Sequence, residues 1–308
     1  MRQWMKRPAF LISLAVLTVA AILGFITLRN RQTLTVNPAQ AKTAAANAAV
    51  SQTLSTTEST AGEEITAENT TEDMTTTAEV PTTEEPTTAA PAKPSTKVEI
   101  VAYFNESVNR VKTDRPGYIW SDCVNIDKDN IECDNKLLNA AVPTVLGAVK
   151  SIAKFGEWQT QPSVAKGADH SNFPVAGKSW ASKLDASFVK SATCTENGSC
   201  YTIKIVLMNE DVSTLPKDAS TLRTGKVMNA WDSSLMEDAK AAEPFVTITK
   251  FQTNYRNASI TCTIDKATSR LKTITYSLNS IFVVDVKQFG SAHATVPFGK
   301  EEKYIMSS

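Results

Sequence analysis

Two histidines, eleven glycines and 7% aromatic residues leave this 308-residue chain little material for several common chemistries. His170 and His293 stand far apart and no G-x-S-x-G string occurs, so a Ser-His-Asp arrangement has no support. The glycines are scattered, and none builds a phosphate-cradling loop. The cysteines lack the paired short spacings of a zinc site, and there is no C-x-x-C. Residues 97–308, with 25 basic and 23 acidic groups, lack the charge excess expected of a nucleic-acid binder. No motif implies a cofactor.

Net neutrality hides three blocks. Residues 1–31 carry five basic and no acidic groups, residues 32–96 a net charge of −7, and residues 97–308 a net charge of +2. Within the first block Ala9–Leu28 (AFLISLAVLTVAAILGFITL) runs twenty residues without a charge. At about 1.5 Å per residue it covers roughly 30 Å, the thickness of a bilayer's hydrocarbon core. Arg2, Lys6 and Arg7 precede it and Arg29 and Arg31 follow, which places the N-terminus in the cytoplasm and the rest outside. A cleaved signal peptide is the competing reading. Its apolar region would be about 7–15 residues and closely followed by a small-x-small site, whereas here Ala39-Gln40-Ala41 lies well downstream of two arginines. The expectation is a cytoplasmic tail (1–8), a transmembrane signal-anchor helix (9–28) and a single-pass protein of the cell membrane.

Residues 29–96 read as a linker. Between Gln32 and Thr96 there is no aromatic residue and one glycine, among Thr, Ala, Glu and prolines at 81, 86, 91 and 94. Such a segment buries too little apolar area to offset its conformational entropy and is expected to be disordered.

Residues 97–308 are long enough for one sizeable core. Thr96-x-x-Glu99 is a capping box, followed by Val101, Phe104, Val108 and Val111 at helical spacing and stopped by Pro116-Gly117. Tyr118 to Ile126 reads as a strand that turns through Asp127–Asn130. A second amphipathic helix is expected from Asp134, with Leu138, Val142, Val145, Val149 and Ile152 on one face and Gly156 closing it. After a loop over 157–178 and a short helix over 179–185, the period becomes two. A hairpin pairs 187–194 with 200–208, and an irregular excursion with a helix over 232–242 follows. Strands are then expected at 245–255, 258–264, 270–278, 281–288 and 291–298, with a last one at 303–306. The sum is an α+β domain, two amphipathic helices packed on a curved antiparallel meander.

At these residues a resemblance enters. The strings YFNESVNRVKTDRPGY (103–118), GKSWASKLDASFVKSATC (177–194) and TCTIDKATSRLKTITYSL (261–278) resemble an uncharacterised family of exported or membrane-anchored proteins of anaerobic Gram-positive bacteria. The resemblance covers almost the whole distal domain. It implies a location and a low-complexity spacer, and no activity.

Outside the membrane, cysteines invite disulfides. If Glu196-Asn197-Gly198 is a three-residue loop, Cys194 sits opposite Cys200 and the two can bridge; a two-residue Asn197-Gly198 turn would instead set Cys194 against Tyr201. Cys123 and Cys133 flank the acidic turn and form a second candidate pair. Cys262, between Ile260 and Ile264 on one strand face, reads as a buried apolar thiol. Asn125, Asp127, Asp129, Glu132 and Asp134 could approach calcium, but Asn130 and Lys136 stand where an EF-hand needs Gly and Glu. Tyr118, Trp120, Trp158, Trp180 and Trp231 read as core residues ahead of a sugar platform. The favoured function is a non-catalytic surface module binding a lipid, a wall polymer or another exported protein. The fold-level analogy is the groove of the periplasmic lipoprotein carriers. The alternative is a wall hydrolase acting through carboxylates such as Asp265 or Asp285.

Overall fold

The computed structural model describes residues 92–136, 139, 155–235, 247–287 and 291–307. The expected membrane anchor, the linker up to residue 91, and most of the expected helices from Asp134 and over 232–242 lie outside these residues. Among the described residues no helix is long and apolar enough to cross a membrane.

Helix α1 (Lys97–Asp114) starts where its capping box requires. The Thr96 hydroxyl accepts from the Glu99 N–H at 3.2 Å, and the Glu99 carboxylate accepts from the Thr96 N–H at 3.0 Å. These bonds, with those from Ser95, hold the Glu99 carboxyl at about 2. The helix ends at Arg115, whose left-handed backbone (φ 46°) returns its N–H to the Val111 carbonyl. Ile100, Val101, Phe104, Val108 and Val111 form its buried stripe. Asn105 and Asn109, on the flank, tie down a loop. Asn109 Oδ1 accepts from the N–H groups of Ala181 and Ser182, while Asn105 donates to the Leu184 carbonyl at 2.8 Å. That loop then enters a single 3-10 turn at Ala186–Phe188, capped by Asp185, in place of the expected helix over 179–185.

Among the described residues the rest of the regular structure, short 3-10 turns aside, is one ten-stranded sheet. Its strands are β1 (Gly117–Ile126), β2 (Glu132–Cys133), β3 (Gln159–Thr160), β4 (Val189–Asn197), β5 (Cys200–Leu207), β6 (Glu210–Val212), β7 (Thr247–Tyr255), β8 (Ser259–Asp265), β9 (Leu271–Lys287) and β10 (Ser291–Ser307). The order is β3-β1-β10-β9-β8-β5-β4, with β2 on β10, β7 on β9 and β6 on β7, and the pairings are antiparallel. The expectation of an α+β domain with two amphipathic helices is thereby corrected. The described domain is mostly β, with one helix of at least seven residues.

The spine is the hairpin of β9 and β10, seventeen residues each, where four shorter strands were expected. Asn279-Ser280 and Gly299-Lys300 look like turn residues, yet the alternation never loses phase through them. Ser280 and Lys300 fall on the buried face and find polar partners there: the Trp231 indole N–H donates to Ser280 Oγ at 3.0 Å, and Lys300 pairs with Glu302 at 2.6 Å. Shorter strands line the spine end to end, β8 and β7 along β9, β1 and β2 along β10. The buried face carries Ile274, Tyr276, Leu278 and Phe282 from β9 and Val296, Phe298 and Tyr304 from β10. α1, Phe173 and the segment around Trp231 pack in the same core.

Candidate functional site

A groove opens where the sheet parts at one end. The β9–β10 register stops at Thr273↔Ile305, while β10 runs on to Ser307 against Gly117. On the other side of β9 the register with β8 shifts, so that Ile264 faces Leu271 and Lys272 is the extra residue of a bulge. Met306 and Ser307 are therefore left without partners on β9. The second half of α1 and Lys166 close the sides, leaving a volume of about 490 Å³. A Cβ on Gly117 would push Ser307 Oγ aside from 2.4 Å and would crowd the Lys166 N–H and Val164 carbonyl at 3.3 Å.

The groove has an apolar floor and a charged rim. Val111, Leu271 and Met306 line it together with Arg110, Lys166, Arg270, Lys272, Asp114 and Asp265. Both carboxylates are already engaged. Asp114 meets Arg270 Nε at 3.2 Å, and Asp265 meets Lys272 at 2.9 Å. Asp265 also accepts from the backbone N–H groups of Ala267 and Thr268 and from the Thr268 hydroxyl. The Lys272 bond and these donors hold its carboxyl at about 2, the state of an ion-pair partner and turn former. Arg110 donates to the Thr268 carbonyl and to Glu106. Among the described residues Lys166 has no acidic partner, and the Arg270 guanidinium makes no hydrogen bond. Ser107 sits on the helix face toward the groove, with the residue fully buried and its hydroxyl without a hydrogen-bond partner. A buried polar atom without a partner is uncommon and calls for a reason.

A second polar cluster lies within the core. Lys300, Glu302 and Asp122 are 4%, 3% and 4% exposed. Glu302 accepts from Lys300 and, at 3.2 Å, from Asn229, and Lys300 lies over the Trp231 ring at 5.6 Å. Asp122, directly opposite Glu302 on the neighbouring strand, accepts from Gln161 at 2.6 Å. Two acids face each other there, but their burial bars a dissolved substrate while Trp231 and Asn229 stay seated.

The cysteines chosen from spacing are not brought together, and no disulfide joins any two of the five. The hairpin turns on Gly198-Ser199, with Asn197 opposite Cys200, so Cys194 faces Ile203. Gly198 at φ 56° in the first central position suits a II′ turn. Cys194 lies three residues from Asn197, hence on the other face from Cys200, and no bridge can span that. Cys123 pairs with Glu301 and Cys133 with Ala294, at separate points along β10, because β2 does not fold back on β1. Cys262 is buried, and burial pushes its thiol well above the usual range.

The acidic turn is committed to local bonds. Asp127 caps the 3-10 turn at Lys128–Asn130, Asp129 meets Lys128, and Asp134 accepts from the His293 N–H at 2.9 Å. Asp265, the last residue of β8, lies beside the start of β9 and Asp285 lies near its far end, roughly 45 Å away along β9. Asp285 instead holds His293 Nδ1 at 2.5 Å on the surface. His170 is buried edge-on against Tyr118, its ring nitrogens on the carbonyls of Ala168 and Pro116. Tyr118, Trp120 and Trp231 are core residues, whereas Trp158 is 48% exposed and Trp180 carries Lys183 at 4.9 Å. They form no common platform.

No family model, curated protein or solved structure matches the chain. The geometry alone must therefore carry a functional reading. Of the groove's residues, the sequence singles out Asp265, as a hydrolase carboxylate, and Val111, in the stripe of α1, but not Ser107, Lys166 or Arg270. One signal was there: Ser107, three residues past Phe104 and four before Val111, interrupts the apolar stripe of α1.

Proposed function

We propose that the chain is a single-pass surface protein held in the membrane by Ala9–Leu28, and that its distal domain is a non-catalytic binding module with the groove beside α1 as its ligand site. The anchor rests on the length of the uncharged run and its basic flanks. The single observation behind the binding reading is the state of the groove. Its two acids are already paired to Arg270 and Lys272, while the buried Ser107 hydroxyl, Lys166 and the terminal nitrogens of Arg270 are left for a guest. Acid–base hydrolysis of a polymer needs two carboxylates available to one bond, and both rim carboxylates are tied to cations.

The test is native mass spectrometry of the full chain extracted from its own host membranes in a neutral detergent. A retained ligand of defined mass supports the module. Wall-degrading activity that disappears in Asp122→Asn or Glu302→Gln would overturn it in favour of a hydrolase built on the buried acids.

A further inference from the structure

We infer that the groove binds a phosphate group, resting on the reading of this groove as the ligand site. The rim carries four cations, of which Arg110, Arg270 and Lys272 pair with Glu106, Asp114 and Asp265, so the surplus charge sits on Lys166. Arg270 approaches Asp114 through Nε, which leaves its two terminal nitrogens for another acceptor. A guanidinium edge of this kind matches two oxygens of one phosphate, and a lysine adds a mobile point charge. Lys166, another residue lining the groove, supplies that charge, with its backbone N–H beside Gly117.

The third element is buried. The Ser107 hydroxyl lines the groove without a partner, and a hydroxyl can donate to a phosphate oxygen or accept from an alcohol next to it. A fourth comes from the parted sheet, since Met306 and Ser307 have no partner strand on the groove side. Val111, Leu271 and Met306 provide an apolar floor for the carbon skeleton that carries the phosphate. The C-terminal end of α1 would repel an anion by its dipole, but the Arg115 backbone N–H caps the Val111 carbonyl and the Arg270 guanidinium faces Asp114 in the last turn. A phosphodiester on a polyol polymer and the phosphate of a lipid headgroup share this chemistry.

The full chain in neutral detergent micelles is titrated with a short poly(glycerol phosphate), and separately with phosphatidylglycerol mixed into the micelles, by calorimetry at fixed salt. Binding in either arm supports the assignment if Lys166→Ala and Arg270→Ala each weaken it about tenfold and the double variant abolishes it. The arm that responds identifies the source. Ser107→Ala should weaken binding several-fold with an unchanged circular dichroism spectrum. Binding in neither arm, binding indifferent to these substitutions, or equal binding of dextran sulfate would overturn the phosphate assignment. If both arms fail while native mass spectrometry still retains an uncharged ligand, the binding module stands and only its ligand class falls. If no ligand is retained either, both readings fall.

Discussion

Ser107 and the Lys300–Glu302 pair show how differently polar atoms behave in one core. Replacing Ser107 by Ala removes a buried hydroxyl that has no partner, so the unliganded domain should gain up to about 1 kcal/mol in urea unfolding. A loss of stability would mean that the hydroxyl has a partner after all. Glu302→Ala has the opposite sign. It leaves the Lys300 ammonium buried without its counter-charge, which costs about 3–5 kcal/mol. The double change Lys300→Met with Glu302→Leu should restore most of that, because apolar residues of similar volume replace a buried pair at little cost. The acids on the surface set the low-pH limb. Glu99, Asp218 and Asp265 fall from ordinary values of 4.5, 3.8 and 3.8 to about 2 in the folded chain. Their contribution is complete above the unfolded values and is lost as pH falls from about 4.5 through 2. Melting temperature against pH should therefore drop in that window, and Lys272→Ala should shrink the drop by removing the main cause at Asp265. Thiol reactivity offers a separate check. An alkylating reagent should label Cys123, Cys133, Cys194 and Cys200 in the native chain, whereas buried Cys262 should label after denaturation.

Among the elements, those set by neighbouring residues were legible. The capping box and apolar stripe of α1 were both readable, and Thr96→Ala should cost about 1 kcal/mol by unseating the cap. Period-two alternation likewise placed β1, β5 and β8 within a residue or two. What failed was pairing. Thr195 to Ser199 offers several two- and three-residue turns, and nothing local shows that Gly198-Ser199 wins. The disulfide reading of Cys194 and Cys200 failed with the register. The turn after β1 leads into β2, whose two residues bond to β10 and not to β1, a choice made about 160 residues along the chain. The groove was hidden for the same reason, since Lys166, Arg270 and Ser107 meet only after the sheet has parted.

For the whole molecule, the alternation of β9 and β10 was visible while their continuity was not, because Ser280 and Lys300 draw their partners from distant segments. The split reading would have produced a smaller, strongly curved sheet between two helices. Two unbroken seventeen-residue strands produce a broad sheet with one covered face instead. The position of the chain in the cell is tested separately, by protease added to intact cells. Digestion of the distal domain with survival of residues 1–31 in the membrane is the expected result, and a mature N-terminus beyond Ala41 would refute the anchor.

Gly117 lies opposite Ser307, so the first strand made waits for the last before it has a full-length neighbour. Until residues 291–307 have been synthesised, β1 and β2 lack their mate and β9 lacks one whole side. Such distant closure makes for slow folding. A chain truncated before Ser291 should therefore lose more than an edge: it should show no cooperative unfolding transition at all.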